Sequence, residues 1–148
     1  MKEVKFGLIG CGRIANRHAE HIKNFGKLQA VCDIDIAKAE ALASEYGVPY
    51  YSNIDDLLAN EPDVDVVSIC TPNGLHAEHS IKALKAGFHV LCEKPMAINV
   101  HDCGEMIKAA ESANKRLFAI KQNRFNPPIA ALKKAISDGV FGNLYSIQ

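Results

Sequence analysis

The chain has 148 residues, 48% hydrophobic and 23% charged, which is enough apolar content for one domain with a true core and ordinary for a water-exposed fold. Seventeen basic residues balance seventeen acidic ones, and no Lys/Arg stripe marks a nucleic-acid or anionic-membrane binder, so a small-molecule partner is expected. Met1-Lys2-Glu3-Val4-Lys5-Phe6 lacks the apolar run of a signal peptide and no stretch could span a bilayer. A cytoplasmic location without membrane contact is therefore expected. The five cysteines, odd in number and without a Cys-x-x-Cys pair, argue against a disulfide framework or zinc site.

In chain order, short apolar runs alternate with stretches of helical period, the pattern of a parallel sheet wrapped by helices. Val4 to Ile9, Leu28 to Asp33, Val64 to Cys70, His89 to Cys92 and Leu117 to Lys121 read as strands, and Tyr50-Tyr51 as a short sixth. Helical stripes fall at Ile14, His18, Ile22 and Phe25; at Ile36, Ala39, Ala43 and Tyr46; at Ala77, Ile81 and Leu84; and at Cys103, Met106, Ile107 and Ala110. Ser52 and Asp55 suggest a capping box, while Gly47, Gly87 and Gly139 sit where helices should stop. Asn126-Pro127 reads as an N-cap and first helical residue, with Ile129, Leu132 and Ile136 expected inward. Leu144 to Gln148 alternates like a half-buried strand that lacks a partner, so the chain is expected to be the front part of a longer protein. Residues 1–140 form the expected dinucleotide-binding domain, and 141–148 the first strand of a substrate domain otherwise absent.

The predicted class is α/β, a doubly wound parallel sheet of Rossmann type. Gly10-x-Gly12-x-x-Ala15 follows a predicted strand and opens a predicted helix, the context that separates a dinucleotide site from a chance glycine pair. Gly10 permits the tight turn, Gly12 lets backbone approach a pyrophosphate, and small Ala15 lets the helix lie close; the first-turn residues Arg13 and Ile14 offer free amides. Asp33 lies about 20 residues beyond Gly12, as expected of the acid that binds the adenosine ribose, and no Arg follows it to accept a 2′-phosphate. NAD is the expected cofactor, with Lys38 as the residue that weakens this preference. A solvated strand-end acid or a helix N-cap is the alternative for Asp33.

Three further strand ends carry polar groups and should converge on one crevice: Thr71-Pro72-Asn73, Glu93-Lys94-Pro95 and Lys121-Gln122-Asn123-Arg124. Thr71 and Asn73 suit phosphate or ribose, and Pro72 offers an apolar wall. Lys94 can act as base for a substrate hydroxyl, or orient it if neighbouring Glu93 keeps the amine charged. His76 and His79 at helical spacing have no third ligand nearby, so no metal is expected, and a cofactor-side hydrogen bond from His76 is preferred with His79 exposed. His18, His21, His89 and His101 carry no motif. Arg124 fits either an anionic substrate group or a structural ion pair.

The turn from Gly10 to Ala15, Thr71-Pro72-Asn73 with His76, Glu93-Lys94-Pro95, and Gln122-Asn123-Arg124-Phe125 together resemble the glucose-fructose oxidoreductase, inositol dehydrogenase and MocA family. The resemblance covers essentially the whole chain. It implies a truncated enzyme whose α+β antiparallel-sheet substrate domain is missing, together with the Asp and His that complete catalysis. It further implies that Thr71, Pro72, Asn73 and His76 line the cofactor side, with Glu93, Lys94 and Asn123 near the nicotinamide. Lys94, Asn123 and Arg124 would meet the substrate. The run from Lys121 to Pro128 is most similar to the members that oxidise C3 of a nucleotide-linked N-acetylglucosaminuronic acid. The implied activity is hydride transfer between a CH–OH group of a sugar, polyol or nucleotide-linked sugar acid and NAD, in a homo-oligomer when full length. A non-catalytic NAD sensor or scaffold, and a lyase or isomerase using NAD transiently, are the alternatives.

Overall fold

Six short strands, alternating with six helices, carry the apolar runs. In the computed structural model, which describes residues 3–146, the order is β1 (Lys5–Ile9), α1 (Arg13–Phe25), β2 (Lys27–Cys32), α2 (Ile36–Tyr46), β3 (Tyr50–Tyr51), α3 (Ile54–Asn60) and β4 (Val66–Ile69). A 3₁₀ turn (Asn73–Leu75) leads into α4 (His76–Lys85), followed by β5 (His89–Cys92), α5 (Val100–Ser112), β6 (Leu117–Ala119), a second 3₁₀ turn (Gln122–Phe125) and α6 (Pro127–Ser137).

All strand pairs are parallel, in the spatial order β3-β2-β1-β4-β5-β6. The chain builds outward from β1 to β3 on one side, then crosses back to start β4 on the other. The loops leaving β1 and β4 therefore diverge, opening a crevice at the carboxyl ends of these strands. Alternate residues of each strand feed opposite cores. Ile9, Val67, Ile69 and Val90 pack with Leu57, Leu84 and Met106 on one face, while Leu8 and Val31 pack with Ala15, Ala19, Ile22 and Leu42 on the other.

Helix faces differ from the periodic reading where small residues allow close packing. Buried α1 positions are Ala15, His18, Ala19 and Ile22, whereas Ile14 faces the crevice and Phe25, at the helix end beyond the sheet, is 82% exposed. Small side chains bring the helix against the strands, so the larger Ile14 and Phe25 fall outside the contact. In α2 the buried positions are Ala39, Leu42 and Ala43, with Ile36 exposed. In α4 the polar His76 and Ser80 are buried beside Ala83 and Leu84, with Ala77 and Ile81 only partly covered. In α5 Met106 and Ala110 are buried as the stripe requires, but Ile107 is exposed.

Asn53, not Ser52, caps α3, its side chain accepting the Asp55 N–H at 2.8 Å. Gly47 takes the left-handed conformation after α2. Asn126 and Pro127 begin α6 as expected, but Ile129, Leu132 and Ile136 remain exposed, because the helix lies beyond β6 and meets no sheet face among the described residues. Leu144, Tyr145 and Ser146 pair with no strand among the described residues, and Ile147 and Gln148 lie outside those residues.

Candidate functional site

The turn after β1 is built by backbone necessity. Gly10 has φ +92° and donates its N–H to the Cys32 carbonyl at 2.7 Å. A Cβ there would lie 2.7 Å from the Cys70 carbonyl and the Thr71 nitrogen, so conformation and close approach both demand glycine. Gly12 is the N-cap of α1 and has an ordinary φ of −77° with no side-chain cap. A Cβ on Gly12 would project into open space. The Ala15 amide returns to the Gly12 carbonyl, whereas those of Arg13 and Ile14 have no acceptor among the described residues, and the first turn holds no acid. This is a cradle for an anion at the positive end of a helix.

Asp33 closes the cradle from β2. Its Oδ2 accepts the Cys11 N–H at 2.7 Å and its Oδ1 accepts the Asp35 N–H at 2.8 Å. Asp35, rather than Asp33, is the N-cap of α2, which removes one alternative for Asp33. Each carboxylate oxygen keeps capacity for a further donor, as a ribose diol supplies. Lys38 stands one turn on, with its ammonium 3.0 Å from Asp35 Oδ2, and this hydrogen bond raises the Lys38 pKa while lowering that of Asp35. Lys38, the cation one turn beyond Asp33, is thus already paired.

Two cavities meet at this switch point. The first, of about 630 Å³, is lined by Gly10, Gly12, Asp33, Ile34, Pro72, Leu75 and His79 among others. The second, of about 680 Å³, is lined by Arg17, His18, His21, Asn73, His76, Glu93, Lys94, Ile120 and Gln122. Arg13, Ile14 and Thr71 border both. A phosphate-sized cradle and an acid on one side, with polar strand ends on the other, fit an extended dinucleotide laid across β1 and β4.

His76 departs from its expected role. It is 1% exposed, with Nε2 2.8 Å from the Thr71 carbonyl and Nδ1 2.7 Å from the Pro95 carbonyl. Both ring nitrogens are used on backbone, so His76 ties the loop after β4 to the loop after β5 and offers no nitrogen to a cofactor. His79, expected to be exposed, is half-buried with Nδ1 3.2 Å from Thr71 Oγ1, and burial lowers its pKa.

Glu93 is buried beneath the second cavity and reaches His18, which sequence reasoning passed over. Its Oε1 lies 2.9 Å from His18 Nε2, its Oε2 accepts the Lys94 N–H at 3.0 Å, and His18 Nδ1 lies 2.7 Å from Ser68 Oγ. A histidine on the inward stripe of an alanine-rich helix needs a buried polar partner, and that was the available signal. Lys94 itself is exposed and forms no ion pair with a carboxylate among the described residues.

Asn123 and Arg124 sit on the exposed 3₁₀ turn after β6 and line neither cavity; the Asn123 side-chain Oδ1 accepts from Asn126 Nδ2 at 3.2 Å. The register places Ile120 and Gln122 at the crevice instead. Arg17 and His21, one and two turns along α1 from Arg13, were likewise missed. Cys11, Cys32, Cys70 and Cys92 cluster near the strand ends as free, buried thiols. Burial pushes Cys11 and Cys70 up to about 12 and Cys32 up to about 11, so they act as small apolar groups.

Sheet order, glycine turn and strand-end acid define a dinucleotide-binding Rossmann domain. Residues 4–121 match the oxidoreductase family with an NAD-binding Rossmann fold that takes in glucose-fructose oxidoreductase, inositol dehydrogenase and MocA, and the chain belongs to that family. It is 39% identical over 149 positions to D-glucoside 3-dehydrogenase of Escherichia coli K12, covering 96% of this chain and 41% of that protein. It is 34% identical to inositol 2-dehydrogenase of Rhizobium meliloti, covering 95% and 43%. Among solved structures, the WlbA dehydrogenase of Chromobacterium violaceum, in complex with NADH and UDP-GlcNAcA, superposes with a TM-score of 0.92 at 43% identity, covering 98% of this chain and 43% of that one. The chain thus spans about two fifths of the length of these relatives.

Proposed function

We propose that this chain is the cofactor-binding half of an NAD-dependent dehydrogenase acting on the CH–OH group of a sugar, polyol or nucleotide-linked sugar acid. The observation that carries the reading is the junction of the two cavities at Arg13, Ile14 and Thr71, with the Asp33 side suited to an adenosine ribose and the Lys94 side to a reacting alcohol. In this reading the Arg13 and Ile14 amides hold the pyrophosphate, Asp33 holds the ribose hydroxyls, and Thr71 and Pro72 form the wall between the two halves. When bound, the nicotinamide supplies the hydride acceptor.

Lys94 and Asn73 face the space where substrate would meet that ring. The Lys94 ammonium donates to the substrate oxygen, orienting it and stabilising the alkoxide as the proton leaves. The relatives are more than twice as long as this chain, and in this reading a second domain of the whole protein completes the proton acceptor and the substrate pocket. The Arg17 guanidinium and the His21 ring, which line the same cavity as Lys94, favour an acidic substrate, which supports the nucleotide-linked sugar acid within the broader class. Asn123 and Arg124 would join the site only through contacts with that second domain. Homo-oligomerisation and a cytoplasmic location belong to the same proposal; among the described residues no helix is long and apolar enough to cross a membrane.

The test is to incubate the full-length protein with NAD and a panel of sugars, polyols and nucleotide-linked sugar acids, following the absorbance of reduced nicotinamide. Turnover with a member of the panel that Lys94→Met lowers by two orders of magnitude or more is expected, on the scale of acid–base and charge-stabilising groups. Tight NAD binding with no turnover on any alcohol would overturn the dehydrogenase reading.

A further inference from the structure

Glu93 precedes Lys94 in sequence but does not bind its ammonium. Both of its oxygens are turned inward, one to His18 Nε2 at 2.9 Å and the other to the Lys94 backbone N–H at 3.0 Å. His18 is in turn fixed by Ser68 Oγ at 2.7 Å on the fully buried β4 position. A carboxylate can only accept, so the ring presents Nε2–H to Glu93, while its Nδ1 is held by the Ser68 hydroxyl. Glu93 is therefore the shared acceptor of two donors, the His18 ring anchored on Ser68 and the backbone N–H of Lys94, the residue that faces the cavity. Among the described residues no ion pair holds Lys94, and the other charged or titratable side chains at that cavity are Arg13, Arg17 and His21 from α1 and the backbone-bonded His76 from α4.

We propose that His18 is a positioning residue: it holds the Glu93 carboxylate off the Lys94 ammonium, leaving that ammonium free to donate to a ligand while its backbone stays fixed. Without the His18 donor, Glu93 would be a buried carboxylate short of a partner, and rotation toward the neighbouring ammonium is its nearest relief. The inference rests on the dehydrogenase reading only for its catalytic consequence, because the state of Lys94 can be read without cofactor or substrate.

The experiment measures acylation of Lys94 by acetic anhydride at neutral pH in the full-length apo protein, quantified by peptide mass spectrometry. In His18→Ala the rate should fall about threefold as Glu93 engages the ammonium at surface-like dielectric. His18→Gln, which keeps an N–H donor near the Nε2 position, should stay near wild type, and adding Glu93→Gln to His18→Ala should restore the rate. An unchanged rate in His18→Ala, or no restoration by Glu93→Gln, overturns the proposal. Should His18→Ala fail to fold, Glu93→Asp keeps the charge but cannot span both partners; a fall is again expected, and no fall contradicts it. In turnover, His18→Ala should lower kcat while leaving NAD affinity unchanged, which a general loss of structure would not do. Lack of turnover on every alcohol would sink the dehydrogenase reading but leave the acylation result standing.

Discussion

Asp33 reaches from the end of β2 to accept the Cys11 backbone N–H at 2.7 Å, so the acid that would select the ribose also braces the glycine turn that would hold the pyrophosphate. Recognition and scaffold are one unit here. Asp33→Ser should therefore weaken NAD by about 10-fold or more, on the scale of a charge-assisted hydrogen bond, and shift preference toward NADP. Parallel titrations with NAD and NADP check this; an unchanged ratio would contradict the assignment.

The two glycines of the turn should fail in different ways. Gly10→Ala places a Cβ 2.7 Å from backbone at a positive φ, and should cost about 2 kcal/mol or more of stability in denaturant unfolding. Gly12→Ala meets nothing and has an ordinary φ, so it should leave the unfolding midpoint nearly unchanged. Its methyl group enters the cradle, so it should lose most dinucleotide affinity.

His76 holds two carbonyls from two loops in a buried place. His76→Phe removes the ring N–H from between these two carbonyls and should destabilise the fold by about 1–3 kcal/mol. Urea unfolding gives the number; a change below about 0.5 kcal/mol, the ordinary surface range, would mean that the loops do not depend on this link.

Alkaline pH should destabilise the protein steeply. Cys11, Cys32 and Cys70 keep their protons in the folded state up to about 12, 11 and 12, against an ordinary thiol value of 9.0 in the unfolded chain. Above pH 9 the unfolded state binds fewer protons than the native state, so stability falls as pH rises and stops falling only past the folded values. Each thiol contributes a slope approaching about 1.4 kcal/mol per pH unit within that window. Denaturation at pH 8, 9 and 10 on wild type and Cys70→Ala checks the sign, and the variant should show the shallower fall.

The glycine turn, the strand-end place of Asp33 and all six strands were legible because each rests on a local rule: a positive φ, an acid at fixed spacing, an apolar run. Helix faces were less so. Ile14 and Phe25 satisfied the period of α1, yet Ala15 and Ala19 form the contact, since distance to the sheet is set by the smallest side chains. The link from His18 to Glu93 joins residues 75 apart in sequence, and no periodicity encodes a hydrogen bond across that interval. His76 was found by its motif but misassigned, because whether a ring nitrogen meets a ligand or a carbonyl depends on a loop from another strand. Asn123 and Gln122 differ by one step of register, a difference that only the geometry of the turn after β6 decides.

The most direct test of the central claim is calorimetric titration of the 148-residue chain with NAD and NADP, beside its Gly12→Ala variant. A Rossmann cradle that prefers NAD should give saturable binding of NAD, weaker binding of NADP, and loss of both in the variant with its unfolding midpoint retained. No binding by the folded chain, NADP bound more tightly than NAD, or full affinity in Gly12→Ala would contradict it.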